Sequence, residues 1–255
     1  MKELIYKVAD FITLGRGLPK TINGFSIRFP TRYVNYFPAN YEQHNFQFLK
    51  EQVKAGDDVL DIGAHIGLFA VAASSLVKPS GKVYAFEPTD QTIPLLRKTI
   101  ALNKAENNVQ VEQAAVGEKN GVATFYVSDI KADNSNSMVS YKEDRKLFAK
   151  DVKLYSIDEY IKEKKVKNLR FIKLDVEGVE LDALKGARHT LQKLKPACIV
   201  AVHPEPVLAR GDKLEDIFDL IMDCGYHITL DGREISREFF CANRELIDLH
   251  IIPVT

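Results

Sequence analysis

The amino-acid sequence predicts an α/β fold: a mostly parallel sheet with an antiparallel last strand and helices on both faces. Three observations predict it. Short apolar runs alternate with longer amphipathic segments along most of the 255 residues, the pattern of repeated strand–helix units. The runs are apolar throughout, as strands covered on both faces must be. The final two runs, residues 226–230 and 246–254, are joined without a long helical crossover, which turns the last strand antiparallel.

Taken in order, Leu4, Ile5, Val8, Phe11 and Ile12 recur at helical spacing and give one amphipathic N-terminal helix. Residues 21–40, rich in Phe, Tyr, Pro and Asn, read as irregular or hairpin-like. Residues 1–40 are therefore set apart as an extension, and 41–255 as the main domain. A helix over 41–53 turns Phe46, Leu49 and Val53 to one side and ends near Gly56. Strand 59–62, buried helix 68–77, strand 82–86, helix 91–103 and strand 109–113 follow. Residues 121–128 alternate and suit an edge strand, whereas 129–150 are polar and loop-like, the one segment suited to a lid. Strand 171–174, helix 180–194 and strand 197–202 come next. The helix over 214–222 carries Leu214, Ile217, Phe218, Ile221 and Met222 on one stripe and is capped by Gly225.

Bulk properties narrow the function. Lysine plus arginine and aspartate plus glutamate each number 35, so the net charge is zero. Binding to a long polyanion wants a basic face, which disfavours a nucleic-acid partner. Cys198, Cys224 and Cys241 show no metal-type spacing and read as reduced thiols of a cytoplasmic protein. The first twenty residues hold no apolar stretch long enough for a signal peptide or membrane span. The N-terminal helix leaves a homodimer open.

Ligands of such sheets bind beyond the carboxyl ends of the strands. After the first strand the chain reads Asp61-Ile62-Gly63-Ala64-His65-Ile66-Gly67, then a helix. Gly63 permits a tight turn and close backbone approach to a ligand, and Gly67 lets the helix pack on the strand. Twenty residues past Gly67, Glu87 in Phe86-Glu87-Pro88 can accept both hydroxyls of a ribose. An adenosine ligand follows, and two details choose which. No G-x-G is present to cradle a pyrophosphate, and Asp61 at the strand tip would repel one while suiting the ammonium of a methionine moiety. The donor S-adenosylmethionine is favoured over a nicotinamide dinucleotide.

At this point the chain resembles the FkbM-type methyltransferases. The similarity runs over about 41–254, in DIGAHIG (61–67), FEP (86–88), AAVGEKNGVATFY (114–126), IKLDVEGVELDALKGA (172–187) and AVHPE (201–205). The LDVEG-x-E segment followed by L-x-G-A is its most specific part. The resemblance implies a Rossmann-like class I methyltransferase fold with a seven-stranded sheet, and transfer of a methyl group to a hydroxyl of a sugar, glycan or secondary metabolite. It implies that Asp61, Gly63 and Gly67 line the methionine end, that Glu87 holds the ribose, that Gln113, Ala114 and Ala115 lie near adenine, and that Ala64, His65 and Pro88 also contact the cofactor. Two departures stand out: His65 where Asn is usual, and Ala201 where an acid is frequent two residues before the histidine.

Methyl transfer needs donor and acceptor aligned and a proton removed from the alcohol. Asp175, Glu177 and His203 follow neighbouring strands and could face one pocket. His203 is the preferred base because an ordinary histidine, with a pKa of about 6.5, is neutral at physiological pH. A divalent-metal site on Asp175, Glu177 and His203 is the less favoured alternative. Enzymes that methylate exocyclic amines carry Asn/Asp-Pro-Pro-aromatic after the fourth strand, whereas this chain has DVEG, which favours O-methylation. A nicotinamide-dependent oxidoreductase and a non-catalytic cofactor-binding module are the competing readings. Selectivity for a small-molecule or glycan acceptor is expected from 129–150 and from the segment with Arg32, Tyr33, Tyr36 and Tyr41.

Overall fold

A computed structural model describes residues 11–128, 137–139 and 147–254. A hairpin of β1 (Leu18–Ile22) and β2 (Phe25–Phe29) leads through a short 3-10 turn to α1 (Gln43–Gln52). Then come β3 (Asp58–Ile62), α2 (Leu68–Val77), β4 (Lys82–Phe86), α3 (Ile93–Leu102) and β5 (Val109–Glu112). The middle of the chain holds β6 (Ala115–Val116), β7 (Gly121–Ser128), β8 (Leu147–Tyr155), α4 (Ile157–Lys164) and β9 (Leu169–Asp175). It continues with α5 (Glu180–Lys185), α6 (Arg188–Leu194), β10 (Ala197–Val202), α7 (Pro204–Ala209) and α8 (Leu214–Asp223). Last are β11 (Tyr226–Leu230), β12 (Arg233–Glu234), α9 (Arg237–Ala242) and β13 (Ile247–Pro253).

The main sheet has the order β12-β11-β13-β10-β9-β3-β4-β5. Neighbours from β10 to β5 are parallel, and β13 lies antiparallel between β10 and β11. The antiparallel last strand and the mostly parallel sheet are as predicted. The count is eight rather than seven, because the two-residue β12 folds back on β11. Residues 121–128 are not an edge strand of this sheet. They pair along their whole length with β8 in a separate three-stranded sheet that includes β6, so 147–150, read as loop, are strand. Half-exposed alternating residues are what a strand of such a small surface sheet needs.

The predicted helix over 180–194 is broken into α5 and α6. The Gly186 carbonyl at the break accepts from Asp158 N (2.8 Å) and Ser156 Oγ (3.0 Å), while the Asp158 carboxylate takes His189 N and Thr190 N at the start of α6. Of the N-terminal helix, Leu4, Ile5 and Val8 lie outside the described residues, and Phe11 and Ile12 are exposed. Of the expected lid, 129–136 and 140–146 lie outside them too.

Period-two alternation splits the core across the sheet. Leu60, Ile62, Ile172, Leu174, Val200 and Val202 face one apolar layer. Val59, Phe171 and Ile199 face the other, with the hairpin, α1 and α2 packed over them. The hairpin's Ile22, Ile27 and Phe29 are fully buried in that second layer, so the extension shares the core of the main domain. On the same face, nearer the carboxyl ends, the register sets polar side chains in line: Asp61 beside Lys173, then Asp175 beside Ala201, then Ala201 beside Asp248.

Candidate active site

A cavity of about 380 Å³ opens at these strand ends, within the usual size for a small-molecule site. One wall is the loop after β3. Gly63 has φ +83°, and a Cβ there would stand 2.0 Å from the carbonyl oxygen of Asp175. Its missing side chain therefore lets the end of β9 abut the loop, where the sequence suggested room for a ligand. Ala64 and His65 line the cavity, and His65 takes φ +49°. Gly67 starts α2 outside the lining; its bare Cα faces Leu96 of α3 rather than the strand.

Glu87 follows β4 into the same cavity. Its Oε1 accepts from Thr89 N (3.0 Å) and Thr89 Oγ1 (2.6 Å), and its Oε2 from His65 N (3.1 Å). The carboxylate is thus aimed by three donors yet keeps unused acceptor capacity toward the cavity. Burial holds its pKa above the ordinary range despite those bonds. Pro88, Ala114 and Ala115 line the space beside it, whereas Gln113 does not.

Asp61 is fully buried and outside the lining. Neither of its carboxylate oxygens has a hydrogen-bond partner among the described residues. Burial pushes its pKa up to about 7, against the pull of Lys173. Lys173 is itself buried within a strand and lies 2.9 Å from Asp175 Oδ2. Burial opposes the charge on Asp175, but Lys173 and His203 hold its carboxyl below the ordinary range.

His203 sits just past β10 among three acids. Its Nδ1 lies 2.8 Å from Oε1 of the buried Glu180, and its Nε2 lies 3.7 Å from Asp175 and 3.9 Å from Glu177. Gly178 N donates to the same Glu180 oxygen at 3.0 Å. Burial opposes the imidazolium, but Glu180, Asp175 and Glu177 raise its pKa from 6.5 to about 9. The acids around the ring favour the imidazolium over the neutral imidazole expected at physiological pH. Among the described residues no group of three or more His, Cys, Asp or Glu is placed to hold a metal ion.

Asp175, Glu177 and His203 do share one cavity, as strand-end reasoning predicts. Tyr36 and Tyr41 of the aromatic segment line it too, with the Tyr36 ring 5.5 Å from that of His65; Tyr33 is buried and Arg32 is outside the lining. Ser137, in the expected lid, donates to the Glu177 carbonyl oxygen, and Met138 lines the cavity. Sequence reasoning missed Glu42, Lys173 and Asp248, which also line it. Lys173 and Asp248 left one signal, a charge inside an apolar strand run, where charges are rare unless paired.

Residues 61–228 match the family model described as methyltransferase FkbM domain. The chain is 26% identical over 208 residues to the hexuronic acid methyltransferase AglP of Haloferax volcanii, covering 78% of this chain and 82% of that one. Among solved structures, a protein of Clostridium thermocellum described as an rRNA methylase superposes with a TM-score of 0.52 at 12% identity, covering 84% and 96%. A protein of Streptococcus mutans described as a methyltransferase, in complex with S-adenosylhomocysteine, gives 0.50 at 12%, covering 84% and 97%. At that identity the two structures establish the Rossmann-like methyltransferase fold. Among the described residues no helix is long and apolar enough to cross a membrane.

Proposed function

We propose, on the premise that this chain belongs to the FkbM methyltransferase family, that it transfers a methyl group from S-adenosylmethionine to a hydroxyl of a sugar, glycan or related small molecule. The observation that carries the reading is Glu87: a buried carboxylate, aimed by His65 N and Thr89, facing the cavity that also holds Asp175 and His203. Such an acid accepts the paired hydroxyls of a ribose. Pro88, Ala114 and Ala115 would flank adenine, and the backbone of Gly63, Ala64 and His65 would meet the methionine end. Asp61 would act there through its field, from behind the loop. The donor supplies a methyl group on a sulfonium, which departs as a neutral thioether. The chain has to align the acceptor, keep water out and receive a proton.

The solved neighbour that holds S-adenosylhomocysteine supports the donor, and the hexuronic acid methyltransferase supports a carbohydrate acceptor. Nothing among these relatives supports a nicotinamide enzyme. Thermal shift with S-adenosylhomocysteine and, in parallel, NADH tests the reading. Ligand at about a hundred times its dissociation constant adds roughly 2.7 kcal/mol, a rise of roughly 5 to 10 °C for this size. A rise with S-adenosylhomocysteine alone is expected. A rise with NADH alone would overturn the methyl-transfer reading.

A further inference from the structure

The sheet register places a carboxylate where strand-end reasoning does not look. Because β13 runs antiparallel, its first residues, rather than its last, lie at the edge where the cavity opens. Asp248 pairs with Ala201 on one side, and Asp175 pairs with Ala201 on the other. Directly paired residues share a face, and all three line the cavity. Neighbouring strands lie roughly 4.8 Å apart, so roughly 10 Å separates the two acids along the row, with only the methyl group of Ala201 between them. That gap leaves room for a hydroxyl-bearing group.

Asp248 is held in position from α1. Asn45 Nδ2 donates to Asp248 Oδ2 (2.8 Å) and to Glu42 Oε2 (3.1 Å), while Asn45 Oδ1 meets His250 Nε2 (2.8 Å). His250 stacks on Phe48 with ring centroids 4.3 Å apart. This chain fixes the amide so that its N–H groups point at the two carboxylates. Of the strand-end groups, Asp175 is ion-paired to Lys173, and the His203 ring is held among Glu180, Asp175 and Glu177. Burial first, then Glu42 and Asp175 against Asn45 and Lys173, leaves the Asp248 carboxyl above the ordinary range and so a stronger base than an exposed acid.

We propose that Asp248 is a catalytic residue of the transfer, whose carboxylate binds the acceptor hydroxyl and takes its proton. The proposal rests on the methyl-transfer reading. The acceptor O–H bond breaks and its proton goes to Asp248. The oxygen's electron pair forms the bond to the methyl carbon, and the S–CH₃ pair stays on sulphur. A carboxylate, an alcohol and a sulfonium become a carboxylic acid, an ether and a thioether. With Glu42, Asp175, Glu177 and Asp248 outnumbering Lys173 and His203 at the same end, a further carboxylate on the acceptor would meet a net like charge. The site therefore fits an uncharged sugar hydroxyl and rejects a uronate.

The test uses the full chain, S-adenosylmethionine as methyl donor, S-adenosylhomocysteine as the binding probe, and the p-nitrophenyl glycosides of glucose, galactose, rhamnose and glucuronic acid. Asp248→Asn keeps the shape and the bond from Asn45. Its affinity for S-adenosylhomocysteine, by calorimetry, is expected to stay within about twofold of the parent's. Its kcat on the best neutral glycoside should fall on the order of 100-fold, and Asp248→Glu should recover part of that loss. The extra thermal stabilisation by that glycoside over S-adenosylhomocysteine alone should vanish in Asp248→Asn. Should Asp248→Asn not fold, Asp248→Glu carries the test through a lowered kcat at unchanged S-adenosylhomocysteine affinity. A kcat within about threefold of the parent's, preference for the glucuronide, or transfer to none of the neutral sugars overturns the proposal. Failure of the parent to bind S-adenosylhomocysteine overturns the methyl-transfer reading as well, so the two failures are told apart.

Discussion

The two ends of the cavity are built in different ways. The end assigned to the donor comes from short contiguous segments, 63–65, 87–88 and 114–115, each following a parallel strand. The end assigned to the acceptor gathers Glu42 from just before α1, Lys173 and Asp175 from β9, His203 from beyond β10 and Asp248 from the start of β13. Its chemistry differs as well. Glu87 stands as a single acid satisfied by donors of its own and the adjoining loop, whereas the acceptor end is a coupled set of acids around Lys173 and His203. A wall made of consecutive residues is written in the local sequence. A wall made of distant residues is written only in the sheet order.

The sharpest way to break that distinction is at Gly63, where the two ends touch. A Cβ would stand 2.0 Å from the Asp175 carbonyl oxygen, at a φ of +83°. Gly63→Ala must shift the loop or the end of β9, at about 3 kcal/mol or more. Chemical denaturation should show that loss, and S-adenosylhomocysteine affinity and methyl transfer should fall together. A variant of unchanged stability would mean the loop is not pinned to β9 and that the ends are independent.

A smaller effect separates the ends by pH. The folded pKa of His203 is raised from 6.5 to about 9, so its contribution is complete below about pH 6.5 and is lost as the pH rises through 9. By linkage this amounts to about 3 kcal/mol. Unfolding free energy measured between pH 6 and 10 should carry this decline in the parent and lack it in His203→Gln. Equal slopes in the two chains would show that the three acids do not hold the imidazolium.

How much could be read beforehand follows from the same contrast. The parallel strands and α2 were legible because wholly apolar runs and helical stripes are local signals: β4 (Lys82–Phe86), β10 (Ala197–Val202) and α2 (Leu68–Val77) fall where the pattern puts them. β8 was not, since its exposed, charged residues gain their partner only from β7, across a polar segment. Gly63, Glu87, Asp175 and His203 were legible as cavity-lining positions because each stands at or just past the end of a parallel strand. Asp248 escaped because an antiparallel strand presents its first residues at that edge. The raised pKa of His203 escaped too, because Glu180 lies 23 residues away in the chain and meets it only through packing.

The smallest effect tests whether the donor end pays in stability for its charge. Asp61 is fully buried with both oxygens unpartnered among the described residues. Its pKa is raised from 3.8 to about 7, so the folded chain binds this proton more tightly than the unfolded one. Stability therefore falls as the pH rises from about 4 to about 7 and changes little beyond. Asp61→Asn removes the charge and should stabilise the chain at pH 8 by about 1 to 2 kcal/mol, less than the full shift because Lys173 loses a partner and the new amide lacks one. The unfolding midpoint should rise by roughly 2 to 8 °C at pH 8 and much less at pH 5. The same substitution should lower S-adenosylhomocysteine affinity about tenfold, because the field that costs stability is the one that attracts the ammonium. A stabilised variant that binds as tightly as the parent would remove Asp61 from the site, and an unstabilised one would mean that Lys173 neutralises it already.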